Sequence, residues 1–528
     1  MIRMISFELE KIWRKRSFML SMCVLLIVNL FVLWYVNMPD DETPPLRAYK
    51  AFSEDMRDMC EEEKAAYITQ LKDKMDGIAL VQSIQNLQAT GGDMEAELAQ
   101  QKLNENRELF EEYYDLYQQG MYLIYTDSLS QETALINELF DAYRKVAAFP
   151  EYLDSIVMAK NTLSGISIFG DASTETFSSR NISKSAQDYA ALTGIQTSWQ
   201  SDKGITIAME NRITDIFLFL AVFLFVGCLI TEEKEKGLFY ITRATKNGLG
   251  ISICAKLGAL LMHCIAIVGL MLGTNLLFAQ SGTGIGNLFV SLQSLASYAQ
   301  SALPISIFEY LLLSAVSKLL LLFAFGALLT VISIISSREF LSYMVGIGML
   351  GISFAAYTFI LAYSHYAPVK YLNLWGLMRS ESIYGEYLNL NIMGYPVSLL
   401  SLCWAVLGVW CITAADVCII AFLRSHQLTI KKTVFSSPFR FRPHGSLLRH
   451  EGYKILIANR GILVLLCFAL LLGYRGITQE YHISGQEQYY QRLMLQLEGE
   501  WSEKKEDMIQ TEQTRFDEAA EQIAHICA

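Results

Sequence analysis

Charged residues gather where three long apolar runs of the sequence begin or end. Glu8 and Lys11 precede the first run, the stretch TEEKEKG (231–237) follows directly on the second, and Lys256 stands at the beginning of the third. Because glycine readily ends a helix, we expect the helix of the second run to continue into water as far as Gly237. A charged protrusion beside a membrane suits the docking of a partner protein.

Three polar residues lie inside apolar runs: His263, Lys318 and Asp416. Within a membrane such residues usually face the interior of a helix bundle or a water-filled path. We predict that Asp416 and His263 line a substrate path or, alternatively, form hydrogen bonds between helices. Lys318 is too far from the end of its run to reach the interface easily, so we expect it to pair within the bundle with an acidic residue such as Glu309.

The sequence offers no pattern for several other kinds of chemistry. It has no GxxxxGK[ST] motif to hold nucleotide phosphates, so we do not expect this chain to be an enzyme. Eight of its ten cysteines lie in apolar runs and none forms a CxxC pair, so no metal site is predicted. A net charge of −11 disfavours nucleic acid as a partner.

The composition indicates a membrane protein. Apolar residues make up 52% of 528 residues and the mean hydropathy is +0.29. Apolar runs of about 18 or more residues predict spanning helices. By this test the chain has seven predicted spans, at residues 17–36, 213–230, 251–279, 308–335, 340–363, 398–423 and 455–474.

The basic residues predict the orientation of these spans. Lysine and arginine cluster in residues 1–16, 231–249 and 424–454, and basic segments near span ends stay in the cytoplasm. All three segments are cytoplasmic if the amino terminus is. Residues 37–212 then lie outside, with 30 acidic against 15 basic side chains. We therefore predict a multi-pass protein of the plasma membrane with a cytoplasmic amino terminus.

The long segment between spans one and two has the pattern of helices. Residues 62–87 and 104–125 are rich in helix formers, with apolar residues three and four positions apart. We expect a long helical hairpin there, followed by a more irregular piece near residues 165–205. Residues 364–397, between spans five and six, carry aromatic rings suited to a membrane interface and are predicted to form two short helices.

An internal repeat links the two ends of the chain. Glu8 and Lys11 precede span one with the same spacing with which Glu451 and Lys454 precede span seven. Acidic, tyrosine-containing helical stretches follow both spans. The repeat predicts one complete six-span unit and the beginning of a second. Since the chain ends at Ala528 without a return span, we expect either a full-length product about twice as long or a truncated chain.

The predicted fold is therefore an all-α polytopic membrane protein. Six transmembrane helices form one unit, and a seventh begins the next. The predicted parts are a cytoplasmic amphipathic helix (1–16), span one (17–36), a large helical extracytoplasmic insertion (37–212), a core of spans two to six (213–425), a cytoplasmic linker with an interface helix (426–453), span seven (454–474) and the beginning of a second extracytoplasmic segment (475–528).

This organisation resembles the permease subunits of type-2 ABC exporters, the ABC-2 type permeases. The resemblance rests on the stretch 233–237 (EKEKG) after span two, an apolar helix behind it, then Ala244-Thr245, and Lys256 at the head of span three. It covers residues 1–425 as one unit and residues 446–528 as part of a second. Lys246-Asn247-Gly248 stands where the family has Pro-Leu-Ser/Thr-Arg, and the insertion after span one is unusually large.

The resemblance implies a division of labour between subunits. Two separate ATP-binding subunits would dock on the cytosolic face and bind ATP and Mg²⁺, whereas this chain would bind no cofactor itself. A second permease unit would come from the internal repeat or from a homodimer, with membrane lipids around both. The implied ATPase-coupling residues are Glu8, Lys11, Glu233, Glu235, Gly237 and Lys256. The implied outer gate includes Trp375, Tyr387 and Tyr395.

Three functions stay open at the level of sequence. The first is the permease subunit of an ATP-binding cassette exporter. The second is a mechanotransmitting, permease-like protein that acts on a periplasmic or cell-wall partner without transport, which the large insertion supports. The third is a membrane-anchored interaction protein with no ATPase partner. The charged cluster after span two disfavours the third, because a pure anchor needs no such protrusion.

Overall fold

The computed structural model describes residues 1–90, 93–165, 177–245, 248–336, 339–362, 364 and 366–424. Contacts divide the chain into two units. The first comprises Met1–Asn86 and Ala99–Lys431; the second comprises Leu87–Leu98 and Lys432–Ala528. Residues 87–90 and 93–98 of the second unit are described, and they are helical. The predicted linker 426–453, span seven and the segment 475–528 lie outside the described residues.

Helices dominate the described part of the chain. The α-helices are α1 Ile2–Trp13, α2 Arg16–Val36, α3 Leu46–Asp55, α4 Glu61–Thr90, α5 Asp93–Glu105, α6 Arg107–Gln118, α7 Leu129–Ala147, α8 Phe149–Gly165, α9 Phe177–Ala190, α10 Lys203–Met209, α11 Arg212–Val226, α12 Glu232–Glu235, α13 Leu238–Arg243, α14 Gly250–Gly282, α15 Ile307–Ile335, α16 Glu339–Phe359, α17 Ala367–Tyr371 and α18 Leu399–Arg424. Their arrangement is that of a polytopic helical membrane protein.

Within the described ranges, six helical stretches are long and apolar enough to cross a membrane. They are Arg16–Val36, Lys203–Glu235, Gly250–Gly282, Ile307–Ile335, Ser342–Phe359 and Leu399–Arg424, and they coincide with the first six predicted spans. Span two is longer than predicted, because α10, α11, a π-helical turn (Gly227–Thr231) and α12 follow one another closely. Asn211 caps α11 with its side chain, which accepts hydrogen bonds from the Ile213 and Thr214 amides (2.9 and 3.2 Å).

Spans two, three and four form the centre of the bundle. Their apolar windows are 67, 61 and 67% buried, against 22, 11 and 28% for spans one, five and six. Aromatic rings fill the centre: Phe219 and Phe223 meet the edge of Phe325 at centroid distances of 5.1 and 5.3 Å. The peripheral spans therefore leave much of their surface for lipid or for further protein.

The insertion between spans one and two folds around its own aromatic core. Phe52 of α3 packs against the rings of Tyr125 (5.4 Å) and Trp199 (6.1 Å). The buried Glu132 carboxylate, near the beginning of α7, accepts hydrogen bonds from the Tyr125 and Thr126 amides. These hydrogen bonds attach the turn at Tyr125 and Thr126 to helix α7.

The insertion lies beside the connections that follow spans three and five. Tyr189 donates a hydrogen bond to the carbonyl of Gln300 (2.5 Å), and Tyr387 donates one to Asp188 (2.7 Å). We name this end of the bundle the insertion side. The opposite end, which carries α1, α12 and α13, is named the α1 side.

The connection between spans five and six differs from its prediction as two short helices. It contains α17, a 3₁₀ turn (Gly376–Met378) and a π turn (Glu381–Gly385), and then a hairpin of β1 Asn389–Ile392 and β2 Tyr395–Ser398. Met393 and Gly394 between the strands both have positive φ, 52° and 87°. Two such residues make the tight turn that matches the twist of a β-hairpin, so the helical prediction for residues 364–397 was wrong at residues 389–397.

Candidate functional site

Four of the predicted coupling residues meet in one ion cluster on the α1 side. Lys11 of α1 pairs with Glu8 one turn earlier and with Glu233 at the end of span two. Lys256, from the first turns of span three, lies 2.8 Å from Glu233 and 3.4 Å from Glu8. The Lys256 ammonium also donates to the carbonyl of Leu229 (3.2 Å). Charges from α1, span two and span three therefore alternate in sign, and each one has at least two partners.

Burial makes these contacts stronger than ordinary surface ion pairs. The Lys256 side chain is 1% exposed, and those of Glu8 and Glu233 are 11 and 12% exposed. Burial by itself lowers the pKa of Lys11, but the carboxylates of Glu233 and Glu8 outweigh it and raise that pKa above its ordinary value. The cluster thus keeps Lys11 protonated at neutral pH.

We name residues 232–243 the elbow. Its first residue, Glu232, pairs with Lys15 between α1 and span one and with Lys236 on its own helix. These two contacts are more exposed than the ion cluster, because 30% of the Glu232 side chain reaches solvent. The amino-terminal helix is therefore tied to the elbow at two separate points.

Lys234 of the elbow contacts the end of span four. Its ammonium group donates hydrogen bonds to the carbonyls of Ser333 (2.8 Å), Ile334 (2.8 Å) and Ser336 (2.7 Å). The last carbonyls of a helix have no partner inside the helix, and the negative end of the helix dipole attracts a cation there. Lys234 is thus a C-terminal cap supplied by another span, a role that sequence analysis missed.

The second half of the elbow contacts span six. The Phe239 ring meets Phe422 at 5.3 Å, and the Arg243 guanidinium lies 5.3 Å from the centre of the Phe422 ring. Arg243 also donates to the carbonyl of Leu423 (3.3 Å). Within twelve residues, the elbow therefore contacts α1 and spans three, four and six while it extends span two.

The two remaining coupling candidates shape the exposed face of the elbow. Gly237 has a φ of +69°, a backbone conformation that is strained for residues with a side chain. As predicted, the helix ends there, and Gly237 separates α12 from α13. Glu235 is exposed and lies outside the ion cluster. Farther along the elbow, Tyr240 and Ile241 are 64 and 65% exposed. The elbow residues available to a partner therefore include Glu235, Tyr240 and Ile241.

Helix α1 is also held by packing. Ile12 is fully buried, and Ile5 lies against Gly258 of span three, where an added Cβ would be 2.6 Å from its Cδ1 atom. Trp13 meets His263 edge to face at 5.8 Å. The amphipathic helix consequently packs along span three.

Lys318 forms a buried ion pair inside the bundle, although not with the partner expected. It pairs with Asp215 of span two, and the two side chains are 1 and 2% exposed. Glu309 instead accepts hydrogen bonds from Ser306, whose own side chain caps α15. Glu309 is needed for that capping box, so the pairing predicted for Lys318 was wrong. One oxygen of Asp215, Oδ2, has no hydrogen-bond partner among the described residues.

A second set of buried polar residues joins spans one, two and three. Asn29 donates to Asn275 (2.7 Å), Thr214 donates to Asn29 (2.7 Å), and Asn275 donates to Thr214 (3.0 Å). All three side chains are almost completely buried. Sequence analysis missed this triangle, although an asparagine in the middle of an apolar run was a visible signal.

The two other intramembrane candidates have different surroundings. His263 is fully buried, as expected for a residue of the bundle interior; its ring stacks on Phe225 at 4.2 Å and its Nε2 lies 3.3 Å from the carbonyl of Ala221. Asp416 is exposed on span six in the single chain, and its role in a substrate path stays a prediction. Of the two, His263 alone faces the interior formed by the described residues.

The three predicted gate residues lie on the insertion side in unlike positions. Trp375 is buried and packs edge to face on Phe354 (5.3 Å). Tyr395 is 62% exposed, and the Arg180 guanidinium lies 4.5 Å from its ring centre. Tyr387 bonds to Asp188 of the insertion (2.7 Å), and burial raises its pKa to about 12.

Arg379 is a buried charge of this connection that sequence analysis did not select. It donates to the carbonyl of Glu210 in span two (3.2 Å) and to the Glu381 carboxylate (3.0 Å). Burial lowers its pKa, but the negative charge of Asp215 and its other neighbours outweighs this and raises the pKa above its ordinary value. Arg379 thus fastens the connection between spans five and six to the beginning of span two.

Within the described ranges, no three His, Cys, Asp or Glu residues are arranged to hold a metal ion. The site is one of charged and aromatic contacts between helices. No family model, curated protein or solved structure matches this chain, so its family stays a prediction from the sequence.

Proposed function

We propose that this chain is the transmembrane permease subunit of an ATP-binding cassette transporter, an exporter powered by two separate ATP-binding subunits. In this proposal the chain lies in the plasma membrane with the α1 side in the cytoplasm. The insertion is then extracytoplasmic. A second permease unit, from the repeat or from a homodimer, completes the path.

The observation that carries the proposal is the set of contacts made by the elbow. One short segment on the α1 side holds α1 through Glu233, span four through Lys234 and span six through Arg243. Buried, close-packed contacts transmit displacement rather than absorb it. A partner that moved the elbow or α1 would therefore move four spans together, as ATP-driven opening of a path requires.

The distribution of basic residues supports the orientation. The elbow and the residues before span one carry Lys11, Lys15, Lys234 and Arg243, and all lie on the α1 side. Basic residues at span ends mark the cytoplasmic side of a membrane protein. The acidic insertion lies at the opposite end, where the rule permits it.

In this proposal the exposed Glu235 contacts the ATP-binding subunit, and the buried ion cluster transmits its motion. Glu235→Arg changes the exposed face of the elbow and leaves the buried ion cluster in place. We expect an ATP-binding subunit to purify with the wild-type chain from native membranes in mild detergent, and to be lost with Glu235→Arg. The matched control is Glu108→Arg, the same change at an exposed position of α6 in the insertion.

ATPase activity per mole of chain is the readout. Retention of the ATPase by Glu108→Arg and its loss with Glu235→Arg would support the proposal. If no ATPase accompanies the wild type, or if Glu235→Arg keeps it fully, the elbow is not the docking surface and the proposal fails.

A mechanotransmitting protein is the second candidate, and one observation favours it. The insertion is joined to span two without a flexible link: Lys203 at the beginning of α10 pairs with Glu138 of α7 (3.0 Å), and its ammonium lies 4.9 Å from the Tyr49 ring. Motion of span two would reach the insertion directly. Replacing residues 46–199 with a short Gly-Ser linker distinguishes the candidates, because ATPase-dependent export of a substrate would persist only in the first.

A further inference from the structure

A cleft of about 250 Å³ lies on the insertion side, in the first unit of the chain. One wall is α9 of the insertion, and the opposite wall is the beginning of span six at Ser398–Ser401. The connection before span four and residues 383–388 close the remaining sides. The cleft thus lies where membrane helices meet the insertion.

The lining of the cleft combines apolar and charged side chains. Leu303, Pro304 and Leu400 line it beside Glu386 and Asp188. Small-molecule sites are mostly apolar with a few placed polar groups, and this cleft is more polar than that, because serine side chains also line it. The position of Leu400 in the first turn of a membrane-spanning helix brings this lining to the level of the membrane surface.

The charges of the cleft leave one carboxylate uncompensated. Lys184 and Asp188 pair with each other at 2.7 Å, and Asp188 also accepts the hydrogen bond of Tyr387 (2.7 Å). Glu386 is exposed on the lining of the cleft, and it has no hydrogen bond or ion pair within the described part of the chain. Partial desolvation and the negative charge of Glu381 raise its pKa, and the positive charge of Lys370 opposes them. A cation held in the cleft can therefore reach this carboxylate and take the place of water.

We propose that this cleft binds the primary ammonium group of an amphiphile. The ammonium donates hydrogen bonds to the Glu386 carboxylate, and the first methylene groups of the apolar chain pack on Leu303 and Leu400. Charge-assisted hydrogen bonds of this kind are about twice as strong as neutral ones. The site does not depend on an ATP-binding partner and goes beyond the proposed transport function.

The size of the cleft limits the ligand. Pockets for drug-sized molecules measure roughly 300–1,000 Å³, so about 250 Å³ holds a head group and a short stretch of chain. The remainder of the amphiphile extends into the membrane or along its surface. Both a bilayer aminophospholipid and a soluble amphiphilic amine have this chemistry.

The test is calorimetric titration of the purified full chain, in neutral maltoside detergent, with hexylammonium as the probe. We expect saturable binding to the wild type, binding about tenfold weaker to Glu386→Gln because one charge-assisted contact is lost, and weak binding of hexanol. Glu108→Gln is the matched control and binds hexylammonium as the wild type does. Leu400→Trp fills the apolar end of the cleft and also weakens binding, and its thermal midpoint shows whether the fold is kept.

Reconstitution into nanodiscs distinguishes the two sources of ligand. If phosphatidylethanolamine, but not phosphatidylcholine, competes with hexylammonium on the wild type, the site takes a membrane lipid. If neither lipid competes, the site takes a soluble amphiphilic amine; both results support the proposal. Equal affinity of hexylammonium for wild type and Glu386→Gln, or no saturable binding to the wild type, overturns it.

Discussion

Two regions of the bundle hold helices together with charge, and they do so differently. On the α1 side, Glu8, Lys11, Glu233 and Lys256 share partners in a partly solvated cluster. In the bundle interior, Lys318 has Asp215 as its ion-pair partner, and both are almost completely buried. Each charge of the cluster has a second ion-pair partner, whereas among the described residues Lys318 and Asp215 form an ion pair only with each other.

The difference indicates where the molecule can move. A charge with several partners near water can exchange them at small cost, because solvent screens whatever is left unpaired. A buried pair must stay closed, since an isolated charge in a low-dielectric interior is expensive. We infer that spans two and four move as one body at Asp215–Lys318, and that the α1-side cluster keeps α1 attached to that body even when one of its contacts exchanges.

The largest expected effect comes from breaking the interior pair. Lys318→Met leaves Asp215 charged and buried, so we expect the free energy of unfolding to fall by about 3–5 kcal/mol. The measurement is unfolding in mixed micelles of maltoside and dodecyl sulfate. The double variant Asp215→Leu, Lys318→Met removes both charges and should regain most of the loss; a double variant as unstable as the single one would contradict this reading of the pair.

A smaller loss is expected from the α1-side cluster. Lys256→Met removes one of two cations, but Lys11 still pairs with both Glu233 and Glu8, so we expect the free energy of unfolding to fall by about 1.5–3 kcal/mol. The same micelle titration measures it. Lys236→Met, which removes an exposed pair with Glu232, is the control and should not change the midpoint. A loss for Lys256→Met as large as that for Lys318→Met would remove the distinction between the two regions.

The smallest effect is expected at the uncharged contact of the interior. Asn29→Leu removes hydrogen bonds to Asn275 and Thr214, and such contacts between membrane helices average about 0.6 kcal/mol, with a maximum near 1.7. We expect a loss of about 1 kcal/mol. A loss above 3 kcal/mol would show that this triangle, and not the ion pair, is the main polar link of the interior.

The sequence predicted what depends on local pattern. Apolar length alone placed six spans, because every backbone group in a membrane must be satisfied within its own helix. Gly237 was identified as a helix end because glycine tolerates positive φ. Glu8, Lys11, Glu233 and Lys256 were selected by their positions at span ends, and the fold brings them together.

What the sequence could not supply was pairing between distant elements. Lys318 could be recognised as a buried cation, but choosing Asp215 over Glu309 required the packing of spans two and four. Asp416 illustrates the converse, since periodicity within a uniformly apolar helix does not show which face is covered. The β-hairpin at residues 389–398 was missed because its signal is one tight turn, Met393-Gly394, beside two short strands.

The central claim is that the α1-side cluster transmits movement of a partner to the insertion side. The most direct measurement is the rate at which a membrane-impermeant thiol reagent labels Tyr395→Cys, with and without ATP, in a Cys60→Ser, Cys527→Ser background. We predict that ATP changes this rate in a chain with an intact cluster, and that Glu8→Gln with Glu233→Gln abolishes the change while the ATPase still purifies with the chain. An ATP-independent rate in the intact chain, or an unchanged response after loss of both carboxylates, would contradict the account.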